Sequence, residues 1–309
     1  MGEELSKEKY VKRTKEDVTR IRRTRLYISG NNPAMIRNAP LFGADSVIFD
    51  LEDSVAINQK DAARILVRNA LNELDFGNTE VTVRINPIDT PYFKQDIEEI
   101  VRAEPYAIVL PKSEDPNDII EVSQEIAIVE EKAGLPIGLI KLMPIIESAL
   151  GVLKAEDIAL ACSRIVAISP GGEDLTADLG ATRTVAGEEL LYIRSKLVLA
   201  ARAAGVQVLD TVYGNVNDEE GLINQTKRII RMGFDGKACI HPRQVEPIHK
   251  AFRPTDQEIE RAKRIVEAYK HAQEEGLGAI CVDNHMIDVP VVKRSERILQ
   301  RAKAAKKGF

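Results

Sequence analysis

The chain has 309 residues, 44% of them hydrophobic, which is enough for one large core, and a single α/β barrel uses about 250 residues. Lys and Arg number 43 against 48 Asp and Glu, a net charge of −5 at pH 7, so there is no bulk positive field to draw nucleic acid or an anionic membrane. The cysteines, Cys162, Cys239 and Cys281, are far apart and lack any CxxC spacing, which argues against a zinc or disulfide framework and fits a reducing cytoplasm.

From Met1 to Arg20 the chain mixes Glu3, Glu4, Glu16 and Asp17 with lysines and carries no apolar run. It reads as neither a signal peptide nor a membrane span, and its acidic residues speak against a mitochondrial presequence. Residues 1–22 are expected to form a charged N-terminal extension. Short apolar, β-branched runs then recur, each followed by a longer helical pattern, as in repeated βα units. The runs are Leu26–Ser29, Ser46–Leu51, Glu80–Asn86, Ala107–Pro111, Ile140–Ile146, Arg164–Ser169, Val206–Val212 and Lys237–Ile240. Between them, Asn58–Leu74, Pro116–Lys132, Gly187–Ala204 and Glu219–Met232 repeat apolar residues every three and four positions, the period of outer helices. Asn32-Pro33 and Asp115-Pro116 place a capping residue before a proline, and Gly134, Gly205 and Gly233 stand where helices should stop.

This order predicts a TIM-type (β/α)₈ barrel over residues 23–254. An open doubly wound sheet satisfies the same pattern, although no GxGxxG or P-loop supports it. Residues 255–309 form a C-terminal helical extension: a charged amphipathic helix over Thr255–Glu275, then Gly276–Gly278, an apolar patch at Ala279–Val282, and a last helix from about Val291.

In a parallel barrel all strands end on one face, and residues just past those ends build the site. Here they are acidic: Glu52 and Asp53 after the second run, Glu147 after the fifth, and Glu173 and Asp174 after Gly171-Gly172 in the sixth. Glu147 and Asp174 are 27 positions apart, about one βα repeat, so consecutive strands present both carboxylates to one pocket. Two carboxylates suit Mg²⁺, which keeps waters and leaves positions for substrate oxygens. Taken singly, each is also an ordinary helix N-cap residue. Gly171-Gly172 removes bulk, so that a ligand can approach the backbone. Glu52 and Asp53 either orient metal-bound waters or pair with Lys60 and Arg64. Arg84, ending an apolar strand, needs an anion, and a substrate carboxylate or an acidic wall residue serves equally. Lys112 has the same two readings. His249 and His271 read as solvated, and His241 before Pro242 reads as a helix start. There is no GxSxG and no Cys–His arrangement for nucleophilic catalysis.

With these residues identified, the chain resembles the citrate lyase β subunit family and its relatives, the malyl-CoA and citramalyl-CoA lyases. The resemblance rests on Arg22-Arg23-Thr24-Arg25-Leu26-Tyr27 with Gly30-Asn31-Asn32, Phe49-Asp50-Leu51-Glu52-Asp53-Ser54-Val55-Ala56, Val83-Arg84-Ile85-Asn86, Ile146-Glu147-Ser148, Gly171-Gly172-Glu173-Asp174, and Gly233-Phe234-Asp235-Gly236-Lys237 with His241-Pro242. It implies a TIM-type barrel with Mg²⁺ on Glu147 and Asp174, and with Arg84, Gly172 and Lys112 among the groups that meet a 2-oxo acid. It implies a lyase that cleaves a 3-hydroxy-acyl thioester of coenzyme A or an acyl carrier to an acetyl thioester and oxaloacetate, or glyoxylate or pyruvate in the malyl- and citramalyl-CoA relatives. A barrel serving only as a scaffold in a lyase complex is the reading from another class. His285-Met286-Ile287-Asp288-Val289-Pro290 resembles the family's Gly-x-Met-Ile-Asp-x-Pro segment, with Asn284 at the glycine place. The resemblance gives Asp288 the proton on the acetyl carbon in a neighbouring subunit's site, hence a homo-oligomer, a trimer, and citrate lyase α and γ subunits as partners. By itself, an aspartate before Pro290 is a turn residue. Thr176–Thr184 looks more like the broad CitE-like group than like one subtype. The Arg22-Arg23-Thr24-Arg25 cluster is either a handle for the phosphates of coenzyme A or a solvated basic run.

Overall fold

A computed structural model of the chain describes residues 11–274, 276, 279–283 and 285–306. Two compact units divide at Ile248 and His249. In the first, eight short strands form a closed barrel in sequence order: β1 (Thr24–Ser29), β2 (Ser46–Asp50), β3 (Glu80–Arg84), β4 (Ala107–Leu110), β5 (Lys141–Ile146), β6 (Ala167–Pro170), β7 (Gln207–Asp210) and β8 (Gly236–Cys239). All pairings are parallel, and β1 closes on β8 through Thr24↔Lys237 and Leu26↔Cys239. Closure excludes the doubly wound alternative. The strands are buried on both faces, which is why they read as continuous apolar runs rather than as alternation. Ile48, Val109, Met143, Ile145, Val166 and Leu209 pack inside.

The outer helices follow the expected chemistry. Asn32 accepts from the Met35 N–H and Asp115 from the Asn117 N–H, each with proline in the first turn. Gly134, Gly205 and Gly233 stop their helices at φ of 73°, 66° and 104°, where a Cβ would be strained. The helix expected from Gly187 begins only at Leu191, because Thr184 and Glu189 tie off a loop: the Thr184 hydroxyl donates to Glu189 Oε2 at 2.7 Å and accepts from the Gly187 N–H at 3.0 Å. Strand β6 proper starts at Ala167, although the Arg164 carbonyl and Ile165 already pair with Leu142 of β5, and the Arg164 guanidinium turns to Glu130 at 2.6 Å and to the Ile140 carbonyl at 2.9 Å.

The N-terminal stretch is, over its described part, the floor of this barrel. Thr14 and Asp17 cap a helix over Lys15–Thr19, and the Tyr106 hydroxyl donates to Asp17 at 2.8 Å. Buried Arg22 donates through Nε to Glu80 at the start of β3 and through Nη1 to Gln207 at the start of β7, at 2.8 and 2.6 Å. Arg23 forks onto Asp45, and Arg25 is 1% exposed. The basic cluster therefore starts below the beginning of β1: Arg22 and Arg23 are engaged by Glu80 and Asp45 at the floor, while Arg25 is enclosed in the barrel and turns toward the cavity above it. Neither the phosphate handle nor the solvated run describes it.

The second unit holds a helix over Asp256–Glu274, an antiparallel hairpin of β9 (Ile280–Val282) and β10 (His285–Ile287), and a helix over Val289–Lys306. Ile265, Tyr269, Ile287 and Val292 form its core. The apolar patch becomes β9, and the last helix starts at Val289 because Asp288 caps it. Glu3, Glu4, Glu275, Gly278 and Asn284 lie outside the described residues. Among the described residues no helix is long and apolar enough to cross a membrane.

Removing Glu80 leaves Arg22 buried without its counter-charge, a loss of about 3–5 kcal/mol. Glu80→Gln is expected to lower the urea midpoint accordingly, whereas Arg102→Ala, which removes an exposed pair with Glu98, should change stability by no more than about 1 kcal/mol.

Candidate active site

At the C-terminal ends of the strands a cavity of 340 Å³ opens, and Arg84, Glu147, Asp174, Gly172, Asp53 and Arg25 are among its lining residues. Two walls face each other in chemistry: one is a guanidinium caged by acids, the other a pair of carboxylates.

Arg84 ends β3 directly beside Asp50, its register partner at the end of β2. Its Nε and Nη2 donate to Asp50 Oδ1 and Oδ2 at 2.7 and 2.8 Å, and Nη1 donates to Asp53 at 3.3 Å. Nη1 also lies 2.7 Å from Glu52 Oε2, but that oxygen accepts no aligned N–H, so the contact is one of charge. The Arg84 guanidinium stacks 5.1 Å from the centre of the Tyr27 ring. Burial works to raise the Asp50 pKa, but the bonds and charge of Arg84 override it and hold the carboxyl below 3.8. Glu52 goes the other way, to about 7, pushed first by burial and then by Asp53, against the pull of Arg84. Arg84 thus has an acidic wall of its own. Lys60 and Arg64 do not pair with the side chains of Glu52 and Asp53: Lys60 Nζ donates to the backbone carbonyls of Leu51 and Glu52 at 2.8 and 2.6 Å, and Arg64 binds Asp96 and Asp61.

Glu147 follows β5 and is 6% exposed. Its Oε2 accepts from the Lys112 N–H at 3.1 Å, which Lys112 offers from a left-handed backbone at φ 49°. The Lys112 ammonium itself is about half exposed, 4.0 Å from Glu52. Burial, followed by the like charge of Asp174, pushes the Glu147 carboxyl up to about 8, against Arg84. Asp174 lies in the first turn of a helix over Gly172–Asp178 and is exposed toward the cavity. Gly171 is required here by the protein itself, since a Cβ would run into the Glu147 side chain, and a Cβ at Gly172 would meet Thr211 at 2.9 Å. The Gly172 N–H already donates to Thr211 Oγ1 at 3.0 Å. The glycine pair makes room for Glu147 and Thr211, and both glycines line the cavity.

Asp288 belongs to the second unit, where its Oδ1 accepts from the Val291 N–H at 3.2 Å. His241 Nδ1 accepts from the Arg243 N–H, as a helix-start residue does. His271 is exposed beside Glu274, while His249 is half-buried rather than solvated.

The lining also includes Asp50, Asp210 and Thr211, none of which stood out in the sequence as a site residue, and Arg25, which the sequence offered only as part of a basic cluster. Asp210 accepts from Arg194 Nε and Nη2 at 2.8 and 3.1 Å and from Lys237 Nζ at 2.8 Å. These acids lie inside strands rather than after them, where buried ion pairs leave no periodic mark.

Among the described residues no three His, Cys, Asp or Glu side chains gather as a metal cage. That leaves the two-carboxylate set of Glu147 and Asp174, which fits a hard divalent cation completing its shell with water and substrate oxygens. Burial and the like charge of Asp174 both oppose ionisation of Glu147, and a cation bound between the two carboxylates would offset both.

A family model described as HpcH/HpaI aldolase/citrate lyase matches residues 23–242. The chain belongs to this family. Within it, the chain is 45% identical over 285 residues, 92% of its own length and 94% of the other's, to the citrate lyase subunit beta of Leuconostoc mesenteroides subsp. cremoris. Among solved structures of family members it resembles the CitE protein of Mycobacterium tuberculosis in complex with magnesium, acetoacetate and coenzyme A, with a TM-score of 0.77 and 32% identity over 93% of this chain and 100% of that one. It also resembles the M. tuberculosis citrate lyase beta subunit complexed with oxaloacetate and magnesium, with a TM-score of 0.65 and 33% identity over 76% and 99% of the two chains.

Glu147 and Glu52 bind protons more tightly in the folded chain than at their ordinary 4.5. Between that value and about 8 the native state therefore holds more protons than the unfolded one, and stability falls as pH rises. In EDTA, the melting temperature is expected to decline from pH 6 to pH 9, and Glu147→Gln should flatten that slope. An unchanged slope in the variant would remove Glu147 as its source.

Proposed function

We propose that this chain is a Mg²⁺-dependent carbon–carbon lyase that cleaves a citryl thioester to an acetyl thioester and oxaloacetate. The observation carrying this reading is that Glu147 and Asp174 line one cavity together with the caged Arg84. Family membership and the beta-subunit relatives support the reaction class, and relatives solved with magnesium, oxaloacetate and coenzyme A support the ligands.

Glu147 and Asp174 would hold the metal, which when bound polarises the oxygens of the 2-hydroxy acid end. Arg84 contributes fixed positive charge at the cavity wall, oriented by Asp50, Glu52 and Asp53 and so needing no reorganisation as charge develops. In the cleavage a base takes the hydroxyl proton, the oxygen closes to the oxo group of oxaloacetate as the carbon–carbon bond breaks, and the electron pair of that bond moves onto the acetyl thioester as an enolate. A proton must then return to the acetyl carbon. We assign that proton to Asp288 of a neighbouring copy, acting as a carboxylic acid, which makes a homo-oligomer part of the working site. The thioester is carried by coenzyme A or by an acyl-carrier arm, and an arm would bring citrate lyase α and γ subunits as partners. Three free cysteines suit the reducing cytoplasm.

Cleavage of citryl-, malyl- and citramalyl-CoA, followed by the oxo acid released, tests the reaction directly. Citryl-CoA should be the best substrate, with activity lost in EDTA and restored by Mg²⁺; cleavage indifferent to EDTA would sink the metal assignment. Asp288→Asn keeps a competent helix cap, so the fold and the thermal stabilisation by Mg²⁺ with oxaloacetate should survive. Turnover should fall by at least about a hundredfold, the range for loss of a general acid. Retained turnover would move the proton transfer to another residue.

A further inference from the structure

Six arginines are buried in the described chain: Arg22, Arg25, Arg64, Arg84, Arg164 and Arg194. Five are ion-paired, to Glu80, Asp96, Asp50, Glu130 and Asp210 respectively. Arg25 is not. Its one hydrogen bond runs from Nη1 to Ser169 Oγ at 3.5 Å, the limit of an interaction, and Nε and Nη2 have no partner. These two atoms form the side-on edge of the guanidinium, the edge matched to a carboxylate. This protein uses that edge repeatedly: Arg23 offers it to Asp45, Arg84 to Asp50 and Arg194 to Asp210. The nearby acid cannot serve Arg25, because Glu80 already carries Arg22 at 2.8 Å and Arg20 at 3.1 Å. A buried charge without a partner is costly, and here it lines the cavity that Arg84, Glu147 and Asp174 share. Tyr27, two residues on and so on the same face of β1, links it to the Arg84 wall.

Resting on the lyase reading above, we infer that Arg25 is a specificity-determining residue whose Nε/Nη2 edge takes the second carboxylate of a dicarboxylic 2-oxo acid. One carboxylate and the oxo group of oxaloacetate belong at the strand ends, near Glu147, Asp174 and Arg84. The far carboxylate reaches down the barrel toward the guanidinium of Arg25, the second residue of β1, which rises to Ser169 of β6. Pyruvate and glyoxylate have no group to place there. Nε and Nη2 are themselves closed to solvent, so a carboxylate reaches them as the weak contact of Nη1 with Ser169 gives way, and away from bulk water the contact is strong for a carboxylate and unfavourable for a methyl group.

Calorimetric titration of the full chain with oxaloacetate and with pyruvate, both in Mg²⁺, tests this against Arg25→Met and Arg25→Lys. The wild type should bind oxaloacetate roughly ten- to a hundredfold tighter than pyruvate, the worth of a hydrogen bond to a charged group. Arg25→Met should lose that preference while its pyruvate affinity and melting temperature hold or rise, because an apolar side chain of similar length replaces an unpartnered buried charge. Arg25→Lys, which keeps the charge without the fork, should retain only part of the preference and serves if the methionine variant does not fold. Pyruvate binding without an oxaloacetate preference in the wild type, or a preference unaltered in the variants, overturns the role of Arg25 and leaves the lyase reading standing. Failure of both oxo acids to bind the wild type overturns the lyase reading, and the Arg25 assignment with it.

Discussion

The ion pair between Asp50 and Arg84 is the constraint on which the site depends. The two residues end adjacent strands in register, so a bidentate contact between their side chains fixes the rims of β2 and β3 against each other. It also decides what else can stand there. With its side-on edge committed to Asp50, Arg84 presents Nη1 to Glu52 and Asp53 and its flat face to Tyr27. A cation held from several sides is an oriented charge, with little freedom left to lose when a ligand arrives.

Against this balanced group the cavity holds two imbalances of opposite sign. Glu147 faces Asp174 as a like charge and is driven toward its protonated form. Arg25 has a guanidinium edge that no acid meets. A divalent cation and a dicarboxylate acid, arriving together, would relieve both. The cavity thus carries a charge pattern complementary to the proposed ligands.

The fold was largely legible in the chain, because barrel strands buried on both faces leave apolar runs and the caps at Asn32, Asp115, Gly134 and Gly205 punctuate the helices. The pair Glu147 and Asp174 was legible too, since both follow strand ends, where position alone suggests exposure to a site. What could not be read was the partner structure of the arginines. Arg22 to Arg25 look like one surface run, yet Arg22 and Arg23 find Glu80 and Asp45 across the barrel floor and Arg25 finds no acid at all. Contacts between residues 22 and 80 arise from barrel closure, which local pattern does not encode. Asp50 was overlooked for the same reason: inside an apolar strand it is indistinguishable from any buried acid until Arg84 is placed beside it. That Gly171 also makes room for Glu147 is not legible in the chain, because that side chain comes from the neighbouring strand.

The barrel floor bears on how this protein can be trimmed. The family match begins at residue 23, but Arg22, Asp17 and the helix over Lys15–Thr19 precede it and tie together the starts of β3, β5 and β7 through Glu80, Lys141 and Gln207. A shortened version drawn at the family boundary would leave Glu80 buried with its main guanidinium gone and open the underside of the barrel to water. The packed barrel therefore reaches upstream of the family match, into sequence that looks like a dispensable charged leader.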